Sequence, residues 1–103
     1  MAIRVNTQIG TSGGITNQAY VRIASYLIDK INLQVRFNLE IYNSEADKNN
    51  RDNMVSNKQI GNYVFRKVSN FNDFESTDIF TAGYSDLRNH LQTIYGPSST
   101  TDC

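Results

Sequence analysis

Asp86 and His90, the single histidine of the chain, stand four residues apart in a stretch with helical spacing, so one turn would set a carboxylate beside an imidazole. Such a pair can share a proton. Catalysis would also need a nucleophile held within reach of the imidazole, and the sequence does not place one, so a surface pair is the expectation. Asp47 and Asn49 fit the first two oxygen positions of a calcium loop. The pattern then fails: Arg51 takes the next position, no glycine follows, and Lys58 stands where the bidentate acid belongs. Gly10-Thr11-Ser12-Gly13-Gly14 has the composition of a phosphate cradle, but no Lys-Ser/Thr follows and the next segment reads as a strand. A flexible turn or mobile arm is expected there. Zinc spacings, nucleotide fingerprints, heptads and internal repeats are absent from the sequence. No catalytic residue, metal or cofactor is therefore expected, and the chain does not read as an enzyme.

Chemistry of contact is better represented. In A-Y-V-R-I-A-S-Y-L-I, Ala19 to Ile28, strict alternation would put Val21, Ile23 and Leu27 on one face and Tyr20, Arg22 and Tyr26 on the other, with Ala24 and Ile28 between them. Two tyrosines around an arginine are a mixture enriched at protein interfaces, where the rings supply area and the guanidinium supplies directed hydrogen bonds. The same trio is also common on a solvated sheet face. Arg51 and Met54, in a long polar loop, are the next candidates for contact.

These residues need a frame, and its anchor is I-N-L-Q-V-R-F-N-L-E-I-Y. Ile31, Leu33, Val35, Phe37, Leu39 and Ile41 alternate without a miss against Asn32, Gln34, Arg36, Asn38, Glu40 and Tyr42, which predicts one long half-buried strand. Asp29-Lys30 would join it to the preceding run as a two-residue hairpin, although Asp-Lys is a poor primed turn; a bend or bulge in one ribbon is the alternative. Ile3, Val5, Thr7 and Ile9 predict a first strand. Asn43 to Gln59 reads as a seventeen-residue polar loop, longer than compact domains usually carry unless it is functional or disordered. Ile60 to Val68 reads as a further strand, and Phe71 and Phe74 lie in a polar connection. Ser76-Thr77-Asp78 supplies N-cap candidates, Phe80, Gly83, Tyr84, Leu87, Leu91 and Ile94 recur at helical spacing, and Gly96-Pro97 is a stop signal. The helix is predicted over 77–95, with Gly83 allowing close approach to the sheet.

The expected architecture is α+β: one domain, 1–103, with a small antiparallel sheet of about four strands, open or curled toward a barrel, and one C-terminal helix packed on it. Residues 1–18 form an N-terminal strand or arm, 43–59 the long loop, and 97–103 a free tail. Ten basic and ten acidic side chains cancel, which argues against a nucleic-acid surface. Cys103, the one cysteine, has no internal partner and fits a reducing compartment. No apolar run reaches the ~18 residues of a membrane span, and Met-Ala-Ile-Arg-Val lacks the pattern of a secretion signal. No membrane or small-molecule partner is expected. Thirteen asparagines suit turns and polar strand faces, and none opens a glycosylation acceptor.

The order of features resembles the small structural proteins of tailed bacteriophages, of the tail or neck. It is carried by A-Y-V-R-I-A-S-Y-L-I-D-K, V-R-F-N-L-E-I-Y-N-S-E-A-D-K, a Y-V-F strand, the helical I-F-T-A-G-Y-S-D-L-R-N-H-L-Q-T-I-Y-G and an Asp-Cys end, over most of Ala19 to Cys103. The resemblance implies a homo-oligomer in a ring or tube, in contact with other virion proteins and located in the virion after assembly in the host cytoplasm. It carries over no individual site residue. A cytoplasmic adaptor, monomeric or dimeric and binding a protein or a ligand, is the alternative.

Overall fold

Two strands rich in β-branched and aromatic residues, β4 (Ala19–Asp29) and β5 (Gln34–Tyr42), pair antiparallel and form the spine of the fold. The computed structural model describes residues 2–61, 65–67 and 79–103. β4 pairs on its other side with β1 (Ile3–Val5), β1 with β7 (Thr100–Asp102), and β5 with β6 (Phe65–Lys67). The result is an antiparallel sheet in the order β6-β5-β4-β1-β7, open rather than closed into a barrel, with five strands where four were expected. A separate hairpin of β2 (Ile9–Thr11) and β3 (Gly14–Thr16) stands beside it. A short α1 (Lys58–Gly61) precedes β6, and the long α2 (Ile79–Tyr95) packs on the sheet. The fold is α+β, as its pattern implied.

The core lies between α2 and one sheet face. Ile3, Val5, Val21, Val35 and Phe37 from the strands meet Tyr84, Leu87 and Leu91 from the helix, all buried. Each such side chain contributes roughly 1.5–3 kcal/mol of transfer free energy, against the entropy of ordering it. Gly83 allows this contact as anticipated. A Cβ there would lie 2.7 Å from Phe37 Cε1 and 3.1 Å from Ile23 Cδ1, so any side chain would push α2 off the sheet. The helix stops at Gly96, whose φ of 113° lies in the left-handed region and whose N–H donates to Gln92 O at 2.9 Å.

Several expectations are corrected. The first strand is two: the chain leaves the sheet at Asn6, whose N–H donates to Ser99 O, and enters the β2–β3 hairpin. That hairpin is not a mobile arm. Asn43 accepts from Thr11 Oγ1 and from Thr16 Oγ1 and donates to Gly13 O, and Asn57 Nδ2 donates to Gly10 O, which ties the hairpin to the long connection. The tail is not free either: it forms β7, held by paired bonds between Ala2 and Cys103 and by a two-pronged Arg88–Asp102 bridge at 2.9 Å. Ile60 sits in α1 and not in a strand, because Asn57 Oδ1 caps that turn by accepting from Gln59 N and Ile60 N. The remaining expected strand positions 61–64 are the end of α1 at Gly61 and residues outside the described ones. Val68, Phe71, Phe74 and the cap candidates Ser76, Thr77 and Asp78 also lie outside the described residues.

One helix-to-sheet hydrogen bond is buried. Tyr84 Oη accepts from Ile23 N at 2.8 Å. Burial raises the Tyr84 hydroxyl above its ordinary value of 10.0, against the opposing pull of the Ile23 amide. Its native form is therefore the protonated one: the associated stability is complete below pH 10 and declines as pH rises beyond it. Tyr84→Phe, which leaves the Ile23 amide without this acceptor, is expected to cost about 1–3 kcal/mol in denaturant titrations at pH 7 and to flatten part of the alkaline decline.

Candidate protein interface

The decisive feature of the spine is one extra residue. Val21 pairs with Ile41 and Ile23 with Leu39, but the next partners are Ser25 with Asn38 and Tyr26 with Phe37, so Ala24 is a β-bulge. Because side chains alternate with period two, the insertion exchanges the faces for the rest of β4. Tyr26 turns to the helix face, where its ring meets Phe80 edge-on at 5.2 Å between centroids. Leu27 turns outward and is 62% exposed. The expected trio therefore does not share a face: Tyr20 and Arg22 lie on one side of the sheet and Tyr26 on the other.

Tyr20 and Arg22 belong to a second, smaller packing layer. Tyr20 is buried with Ala2 and Tyr42, its ring 6.3 Å from that of Tyr42. Across the strands Arg22 pairs with Glu40, with Nε and Nη2 at 2.8 and 2.7 Å from Oε1, and its Nη2 also donates to Lys48 O at 3.2 Å. Tyr42 Oη donates to the same carboxylate at 3.0 Å. The expected structureless loop supplies the roof. It contains two 3-10 turns, Glu45–Asp47 and Arg51–Asn53, and returns to the sheet through a bridge from Val55 to Ile41. Lys48 Nζ lies 5.7 Å from the centre of the Tyr20 ring, and Arg51 Nη2 lies 3.8 Å from Glu40 Oε2. Tyr20 is thus an internal residue of its own chain, and Arg22 is mostly covered. Arg51 and Met54 are exposed on the loop.

The carboxylate at the centre has opposing influences. Burial pushes Glu40 up, but the bonds from Arg22 and Tyr42 and the charges of Arg22 and Arg51 together hold it below the ordinary 4.5. Burial and the Glu40 bond both raise the Tyr42 hydroxyl. This network joins β4, β5 and the loop. Asp86 and His90 are partly buried on α2.

The spine also departs from expectation at its far end. β5 begins at Gln34, so Ile31 and Leu33 are not strand residues, and the connection is four residues, Lys30 to Leu33. Asp29 organises it: Oδ1 accepts from Ile31 N and Asn32 N, both at 3.1 Å, and Oδ2 accepts from Asn32 Nδ2 at 2.8 Å. These bonds hold the Asp29 carboxyl below its ordinary range. Asp-Lys could not close a primed two-residue turn, and the carboxylate makes a wider one. Leu33 then sits at φ 54°, in the left-handed region that disfavours a side chain like leucine. Ile31 is 92% exposed and Leu33 44% exposed. Turn tips usually carry Gly, Asn, Asp or Ser, and here two large aliphatics occupy one. Composition hid this feature, since both residues fit the strand alternation.

Among the described residues, two hollows lie near the loop. One, of about 430 Å³, runs along β5 beside Met54–Asn57 and is lined chiefly by apolar groups, among them Leu39, Ile41, Met54 and Val55. The other, of about 380 Å³, is polar and lined by Ser12, Asn43, Asp47 and Asp52 among others. No group of three or more potential metal ligands occurs among the described residues, and none of the described helices is long and apolar enough to cross a membrane. Comparison with known families, curated proteins and solved structures finds no match to this chain.

Glu40→Gln, which keeps the shape and removes the charge facing Arg22, is expected to lower stability by about 1–3 kcal/mol at pH 7. Because the Glu40 pKa is depressed, its contribution is complete above 4.5 and fades as pH falls below that value. Urea titrations of both proteins should accordingly differ most at neutral pH and converge in acid.

Proposed function

We propose that this chain is a structural subunit of a bacteriophage virion, from the tail or neck, that works by shape and contact among its own copies and with other virion proteins. The observation that carries the reading is the end of the β4–β5 hairpin, where Leu27, Ile31 and Leu33 are each exposed. Isolated exposed aliphatics are ordinary on a surface; three on one hairpin end, one of them in an unfavourable backbone region, ask for a covering surface. Support also comes from the charge balance, since ten acidic and ten basic groups give no net repulsion between copies. The resemblance of Ala19 to Cys103 to small tail and neck proteins supplies the virion context.

Light scattering on the full chain over a concentration series tests the reading. A mass that rises with concentration, or a discrete multimer, is expected. A monomer up to about 1 mM would contradict self-assembly and favour the adaptor alternative.

A further inference from the structure

Residues 44–54 cross the second face of the sheet pinned at both ends and held between them by charge alone. Before the segment, Asn43 binds the β2–β3 hairpin through Thr11 Oγ1 at 2.7 Å, Thr16 Oγ1 at 2.6 Å and Gly13 O at 3.0 Å. After it, Val55 N donates to Ile41 O at 2.8 Å, and Ser56 exchanges bonds with Ser12 at 2.9 and 3.0 Å. No residue from Ser44 to Met54 is buried, and the bonds of the two 3-10 turns stay within the segment. Among the described residues, three polar or ring contacts tie it to the sheet. Arg22 Nη2 donates to Lys48 O at 3.2 Å, Arg51 Nη2 lies 3.8 Å from Glu40 Oε2, and Lys48 Nζ lies 5.7 Å from the centre of the Tyr20 ring. Glu40 governs two of the three, because its carboxylate attracts Arg51 and also holds Arg22 where it can donate to Lys48 O. The polar hollow of about 380 Å³ is lined by Ser12 and Gly13 of the hairpin and by Asp47 and Asp52, so open space takes the place of packing on that flank.

We propose that residues 44–54 form a strap that opens locally while the sheet stays folded, turning about Asn43 and Val55 and held closed by Arg22 and Glu40. A segment without an apolar anchor has few contacts to lose, so its opening free energy is a fraction of that of global unfolding. The closing contacts are charge-assisted and gather at one carboxylate, so neutralising that group loosens the whole segment. Opening gives solvent access to Arg22 and the Tyr20 ring, which the closed strap covers. The device is internal to one copy and does not depend on the assembly reading.

Native-state amide exchange on the full chain, at neutral pH and a series of low urea concentrations, tests this. The probes are Asp47, Lys48, Asn50, Asn53 and Met54, whose amides bond within the strap, against Leu87 and Leu91 of α2. Strap exchange should be insensitive to urea, since a local opening exposes little surface, while the α2 amides accelerate with urea as global unfolding does. Glu40→Gln should speed strap exchange about tenfold. Arg51→Ala, at an exposed position, should speed it about threefold and leave the urea midpoint of the whole protein unchanged. Strap amides that follow the urea dependence of α2 would show that the segment unfolds only with the core and would overturn the proposal, as would wild-type strap amides with no protection at all. Urea-insensitive exchange at the wild-type rate in both variants would overturn it too, since Glu40 would then not hold the strap.

Discussion

The extra residue at Ala24 is the constraint on which the rest of the structure depends. Without it, the odd residues of β4 would face α2 along its whole length, and Leu27 would lie over the core. With it, Val21 and Ile23 face the helix before the bulge, and Tyr26 faces it after. The bulge is fixed from two directions: the Ile23 amide donates to Tyr84 on α2, and Phe37, the cross-strand partner of Tyr26, packs where Gly83 lets the helix come close. One inserted residue thus divides a single ribbon into a body covered on both faces and an arm whose outer side carries Leu27 among polar residues such as Ser25, Arg36 and Asn38.

The body is covered twice because its second face holds a charge that needs a roof. Glu40 would be costly to bury alone; Arg22, Tyr42 and Arg51 surround it, and the Lys48 carbonyl takes up a remaining guanidinium donor. This explains why a polar connection of seventeen residues is ordered without a regular element longer than one turn. Its order comes from side-chain bonds to the sheet and to the β2–β3 hairpin, with Asn43 and Asn57 as the main links. The asparagine content of the chain is in part the material of these links.

How much of this was legible depended on the range of the interaction. The helix stripe, its stop at Gly96, the role of Gly83 and the α+β class follow from local periodicity and turn chemistry, and they are present in the structure. The bulge was not legible, because A-Y-V-R-I-A-S-Y-L-I alternates plausibly in either register and the choice is made by Tyr84 and Phe80 far along the chain. Alternation also carried the predicted strand through Ile31 and Leu33, where the Asp29 turn in fact opens. The polar tail gave no sign that Arg88 and Asn6 would hold it as a strand. Of the interface candidates, Tyr20, Arg22 and Tyr26 had the right composition but their division between faces required the register. Arg51 and Met54 lie exposed on the loop, and the exposure of Leu27, Ile31 and Leu33 was not legible because aliphatics within an alternating run look like core.

Beyond the bulge the hairpin is an arm that turns Val35 and Phe37, with their partners Ile28 and Tyr26, toward the core and Leu27 outward. The arm exists only if the bulge sets Tyr26 inward and Leu27 outward. Nuclear Overhauser contacts from selectively labelled Tyr26, Leu27 and Phe80 test that claim most directly in the monomer. The account predicts ring-to-ring contacts between Tyr26 and Phe80, with the Leu27 methyls free of any contact to α2. Leu27 methyls in contact with Phe80, with the Tyr26 ring beside Arg22, would mean that β4 runs straight through Ala24 and would contradict it.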